Sequence, residues 1–251
     1  MVPAFLWPQN RKVAVSLTYD DALPGHHSRV APFLQDHGIR ATFYAPICSR
    51  FLDETDAWRR VAKDGHELGN HTIFHPCYGA KREDIGWLDP GYNLRDYSPQ
   101  RWHDEVKVAN WALKQVDGLT RRTFGNTCHC RWIGQGNSRV CLDTLMLDHF
   151  VAARGGRSER AVDPATPDFA NLGTLGADRR TFDELRQELL GVRDAGAWMI
   201  YTFHAVGPGE SVHFIEEYEH QRLVEWLASE SDFWVAPVVE IATWLKVNER
   251  R

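Results

Sequence analysis

The feature that most restricts the fold of this chain is an alternation of short apolar, β-branched runs with stretches of helical spacing, from residue 13 almost to the C-terminal end. VAVSLTY (13–19) reads as a buried strand that stops at two aspartates and a Pro-Gly pair. Residues 27–37 read as a helix closed by Gly38, and ATFYAP as a second buried strand. A helix is expected over 57–63, a short strand over 67–69 and a helix over 99–116, where Trp102, Val106, Ala109 and Leu113 recur at helical spacing. Further strands are expected over 122–125, 149–153, 198–203 and 233–236, with helices over 139–147, 182–195, 217–229 and 238–247. About seven strands alternating with helices predict an α/β fold, with parallel strands closed into a barrel and working residues on loops at the strands' C-terminal ends. At 251 residues the chain suits one domain, residues 1–251. The longest irregular segment, 79–98, suits a substrate-facing loop or a plain surface excursion.

Composition excludes several classes. With 43% apolar and 25% charged residues, the chain is neither disordered nor fibrous. A net charge of −5 without a dense Lys/Arg block argues against nucleic acid and acidic membrane surfaces as partners. No apolar segment reaches the ~20 residues of a membrane span. The N-terminus MVPAFLWPQNRK carries no basic leader and no cleavage site, so a cytoplasmic location is expected, with secretion as the alternative if a leader is removed. Five cysteines at irregular spacings suit a reducing compartment and free thiols. The CHC run at 128–130 is too closely spaced for a familiar structural zinc pattern. Most of the ten tryptophans, Trp58, Trp226 and Trp244 among them, are expected to pack.

Three clusters carry chemistry. TYDDA sets adjacent carboxylates, Asp20 and Asp21, at the end of an apolar strand, which is costly without a cation or donors nearby. Neighbouring residues on extended chain point to opposite sides, so one carboxylate can hold a metal while the other faces a reacting water. Solvated loop carboxylates are the plainer alternative. In GHELGNHTIFHP, His71 and His75 stand four apart and are expected to share one face of a helical turn, where they could chelate an ion or simply pack, while His66 reads as packing or hydrogen bonding. Two histidines and one carboxylate leave coordination positions open, as in a catalytic zinc site, and also suit cobalt, iron or nickel. YTFH ends a third strand at His204, a candidate acid for a leaving group.

In these segments the chain resembles the polysaccharide deacetylases, the NodB-homology family (carbohydrate esterase family 4). The likeness runs from Val13 to the segment WVAPVVEIATWL and implies a distorted (β/α) barrel, often seven-stranded. It implies Asp20 as catalytic base, Asp21, His71 and His75 as ligands of one divalent metal ion, foremost Zn2+, and His204 as general acid. It also implies removal of N-acetyl groups from a carbohydrate. Hydrolysis of another linear or cyclic amide, O-deacetylation, and a carbohydrate-binding protein without turnover are the alternatives. The family's arginine-proline motif after the histidines is missing, the region reading TFGNTCHCRW, so Asn126, Thr127 and Cys128 are expected to line the pocket. Where the family has an aspartate and tryptophan that tune the acid, this chain has VAARGGRS. Arg154 is expected to touch substrate or orient a carboxylate, and Asn126 to touch substrate.

Overall fold

A computed structural model describes residues 5–79, 85–155 and 160–248. Its main sheet contains β1 (Val13–Asp20), β2 (Thr42–Ala45), β3 (Glu67–Asn70), β4 (Phe124–Gly125), β5 (Ala153–Arg154), β6 (Leu175–Gly176), β7 (Trp198–Phe203) and β8 (Phe233–Val235). Seven of them lie in the order β5-β4-β3-β2-β1-β7-β6, all paired in parallel. The expected barrel of parallel strands is therefore present, as a curled sheet with helices around it.

β1 is buried at all eight positions and organises the sheet. It pairs with β7 from Ala14↔Trp198 to Tyr19↔Phe203 along one edge. Because a strand has only two edges, β8 and β2 must share the other. β8 takes Val13 to Val15, and β2 takes Thr18 to Asp20. The helix that follows β8, Val238–Asn248, passes beneath this junction. Its first amides are received by side chains of the neighbouring strands, Val238 N–H by Thr42 Oγ1 (2.9 Å) and Val239 N–H by Glu67 Oε2 (3.0 Å).

Apolar clusters flank the sheet, and two of them are built on β1. One gathers Val13, Val15, Leu17 and Tyr19 of β1 with Phe43, Trp58, Leu223 and Leu227. The other joins Ala14 and Trp198 to Trp7, Val238, Ile241 and Leu245. These clusters follow from β1: alternate side chains serve opposite faces, Val13, Val15, Leu17 and Tyr19 on one and Ala14 with the polar Ser16, Thr18 and Asp20 on the other, and both are buried. Each fully buried Val, Leu or Ile contributes roughly 1.5–3 kcal/mol relative to exposure.

Several local expectations are corrected. The helix expected over 27–37 is a π-turn over His26–Val30 and α-helical over Ala31–Asp36. Pro32 lies in that first α turn and has no N–H to give to an earlier carbonyl. The helix expected over 139–147 is reduced to Asp143–Met146, because Val140–Cys141 instead pairs with Trp132–Ile133 in an antiparallel ribbon. Gly134 and Gly136, both at positive φ, reverse the chain between them. β6 was not expected at all. Residues 80–84 of the irregular loop and 156–158 of VAARGGRS lie outside the described residues. No helix among the described residues is long and apolar enough to cross a membrane.

Candidate active site

The parallel strands deliver their last residues to one end of the sheet, where a cleft of about 1400 Å³ opens. Asp20 and Asp21 come from β1, His71 from β3, Asn126 from β4, Asp178 from β6 and His204 from β7, and all of them line it.

Asp21, His71 and His75 each present a ligand atom, and these atoms lie within 4.8 Å of one another. Asp21 Oδ1 stands 3.2 Å from His75 Nε2 and 3.6 Å from His71 Nε2, yet this buried oxygen makes no well-formed hydrogen bond among the described residues. An orphaned carboxylate oxygen facing two imidazole nitrogens is the arrangement a divalent cation resolves. The ring of His71 is oriented by its Nδ1, 2.7 Å from the Gly125 carbonyl, which leaves Nε2 without the proton. Burial pushes the Asp21 carboxyl up, but the two imidazoles outweigh it and hold it well below the usual range.

The two histidines do not sit on a helical turn as expected. Residues 71–75 form a loop, with Thr72 at φ +67° and His75 at φ +51°. Side chains replace the helix's hydrogen bonds. Asn70 Oδ1 accepts from Thr72 N–H (2.7 Å), Thr72 Oγ1 from His75 N–H (3.0 Å), and buried Glu105 from both Ile73 N–H and Phe74 N–H. Asp21 (φ +80°) and Cys128 (φ +50°) also lie in the left-handed region. Such residues cost of order 1–3 kcal/mol each and cluster where function requires them.

Asp20 is buried beside His71, and Arg154 Nη2 donates to its Oδ2 at 2.6 Å. Burial raises the Asp20 carboxyl, while Arg154 and the neighbouring histidines more than reverse this and keep it ionised. Arg154 is completely buried, also donates to Thr18 and Thr202, and lies over the Tyr44 ring at 4.7 Å. It does not line the cleft, so the expectation of substrate contact is corrected; of the two roles considered for it, its geometry is that of a carboxylate partner. Asn126 does reach the cleft wall. Its Nδ2 donates to the Arg154 carbonyl (3.2 Å), and its buried Oδ1 has no partner among the described residues.

His204 is held by Asp178, which sequence reasoning missed. Asp178 Oδ2 lies 2.6 Å from His204 Nδ1, and Oδ1 accepts the His204 N–H at 3.1 Å. Burial pulls the imidazolium down, but the bond to Asp178 and the charges of Asp20, Asp178 and Asp21 lift its pKa to about 9. The signal that could have found Asp178 was its place two residues beyond a short strand, in LGAD, yet the strand itself was too short to recognise. Near by, Cys77 and Cys128 are joined in a disulfide, contrary to the expectation of free thiols. It ties the histidine loop to the loop after β4, as does the Thr127 hydroxyl by donating to the Pro76 carbonyl. His66 accepts the Ala41 amide and serves the fold, as expected.

The class these features define is a curled parallel α/β barrel with an Asp-His-His set that could hold a metal ion and with a buried carboxylate and a histidine lining the same cleft. Residues 8–126 match the family model described as polysaccharide deacetylase. It is 26% identical over 199 residues to a peptidoglycan-N-acetylglucosamine deacetylase of Bacillus cereus, covering 69% of this chain and 68% of that one. It is 24% identical over 150 residues to a gellan lyase of a Bacillus species, of which it spans only 5% while 60% of this chain is aligned. A crystal structure of a putative polysaccharide deacetylase from Mycobacterium smegmatis shares the fold at a TM-score of 0.64 and 16% identity, over 99% of this chain and 95% of that one.

Proposed function

We propose that the protein is a metal-dependent hydrolase of a carbon–nitrogen bond other than a peptide bond, removing N-acetyl groups from a carbohydrate. The observation that carries this reading is the convergence of Asp21, His71 and His75 on one point, with Asp20 and His204 lining the same cleft. The match of residues 8–126 to the polysaccharide deacetylase model and the deacetylase names of the relatives support the substrate class.

Asp21, His71 and His75 would hold a divalent ion, foremost Zn2+ with Co2+, Ni2+ or Fe2+ as alternatives, which would supply Lewis acidity to the acyl oxygen and to the attacking water. Asp20, kept ionised by Arg154, accepts the proton of the attacking water. His204, protonated at neutral pH through Asp178, gives its proton to the departing nitrogen. With Nδ1 on Asp178, Nε2 is the atom left to make that transfer. The unpartnered Asn126 Oδ1 offers an acceptor for a substrate N–H or O–H. The products are acetate and a free amine.

The Cys77–Cys128 pairing weighs toward an oxidising compartment and against the cytoplasmic location expected from the cysteine count. The test is acetate release from N-acetylglucosamine oligomers and acetylated xylan, and ring opening of cyclic amides, by the metal-loaded protein, with metal content measured in parallel. Acetate from the N-acetylated oligomers alone is expected. Turnover confined to xylan or to cyclic amides would move the activity to an alternative, and metal binding without turnover on any of them would leave a binding protein.

A further inference from the structure

Asp20 and Asp21 leave the sheet at the end of β1, and His204 at the end of β7. The last ladder pair between these strands is Tyr19↔Phe203, so beyond it the two chains need another tie. One buried side chain supplies it. His26 is fully buried, its Nδ1 lies 3.3 Å from the Leu23 N–H, and its Nε2 lies 2.8 Å from the His204 carbonyl oxygen. An amide N–H can only donate and a carbonyl only accept, so the ring is the neutral tautomer with its proton on Nε2. Tyr19 and Phe43 hold its plane, with ring centroids 5.6 and 5.8 Å away. At the rim, Gly25 N–H donates to Glu210 (3.0 Å) and Arg29 to the Val206 carbonyl (3.2 Å). The segment from Leu23 to Val30, with its π-turn, thus ties the loop after β1 to the loop after β7.

We infer that His26 is a positioning residue for His204: its one N–H, aimed at the His204 carbonyl, fixes that residue's backbone against the loop that carries Asp20 and Asp21. The peptide units of His204 are then held from both sides, the N–H by Asp178 and the carbonyl by His26. Its consequence for turnover rests on the deacetylase reading above, whereas its effect on the His204–Asp178 contact rests on geometry alone. Burial drives the His26 pKa down to about 4, so the ring stays neutral over the working range.

His26→Phe keeps a ring between Tyr19 and Phe43 and removes both hydrogen bonds. In the metal-loaded protein, kcat on an N-acetylglucosamine oligomer should fall about tenfold or more with KM changed by less than about twofold, as for an interaction felt mainly in the transition state. The loss on 4-nitrophenyl acetate, whose leaving group departs without protonation, should be smaller by roughly fivefold or more. Metal content should match the parent. Independently of turnover, the His204 imidazole followed by NMR in the metal-free protein should titrate at lower pH in the variant, because its contact with Asp178 is loosened. Equal losses on the two substrates, or an unshifted His204 titration, would overturn the inference. If the parent releases acetate from no substrate, the deacetylase reading fails and the NMR titration alone decides the role of His26. Should His26→Phe not fold, His26→Asn carries the same comparisons.

Discussion

Arg154 and Asp20 meet at 2.6 Å in the interior of the barrel, joining the end of β5 to the end of β1 with both side chains buried. Replacing Arg154 by Met would leave the Asp20 carboxylate buried without its partner. Breaking such a pair costs about 3–5 kcal/mol. Urea unfolding at pH 7 should show that loss, and Arg154→Lys should show part of it, since an ammonium cannot serve Asp20, Thr18 and Thr202 with the same fork. Unchanged stability in both variants would contradict the pairing.

The His204–Asp178 pair predicts a pH dependence. The His204 pKa of about 9 lies above the ordinary value of 6.5, so its contribution to stability is fully present below pH 6.5 and is lost as pH rises through 9. At most about 3 kcal/mol is involved. In the metal-free protein, the urea midpoint should decline between pH 6.5 and 9.5, and Asp178→Asn should flatten that decline. A parent and variant with parallel profiles would sink the assignment.

Metal retention should follow the three convergent side chains. Asp21→Ala, His71→Ala and His75→Ala are each expected to lose bound zinc on dialysis, and Asp20→Asn to retain it while turnover collapses. Glu105→Ala should weaken zinc binding by roughly 10–100-fold without removing a ligand, because it frees the amides of Ile73 and Phe74 between the two histidines. Metal analysis by mass spectrometry after dialysis separates these outcomes. Full zinc content in all three ligand variants would refute the site.

The Cys77–Cys128 disulfide closes a loop spanning 51 residues in sequence. Cys77→Ser should therefore lower the unfolding free energy by roughly 4 kcal/mol in the chain-entropy account. Mass analysis with and without reductant before thiol alkylation should find this pair protected, and Cys48, Cys130 and Cys141 reactive after unfolding. A thiol count of five in the unreduced, unfolded protein would contradict the pairing.

β1, β7 and the helix Glu217–Ser229 could be read from the sequence nearly to the residue, because each is long enough for its apolar pattern to exceed local noise. β4, β5 and β6 are two residues long in the ladder, and a pair of residues has no period to detect. The same brevity hid Asp178, which stands after β6. Asp20, Asp21 and His204 were visible because they interrupt long buried strands. His71 and His75 were found by their spacing, but the helical turn assigned to them was wrong. The turn is built by Asn70, Thr72 and Glu105, and Glu105 acts from a helix some thirty residues away, beyond any local pattern. Arg154 was singled out as a strand-end charge, whereas its burial under the cleft depends on how the sheet curls.

The left-handed backbone at Asp21 sets two requirements against each other. For folding alone, the residue best suited to φ +80° is glycine, which has no side chain to clash and no atom to offer a metal. An Asp21→Gly protein could thus be the sturdier one and chemically inert. Drift toward stability at this position leads away from activity, so a carboxylate here persists only under continued selection for what it holds.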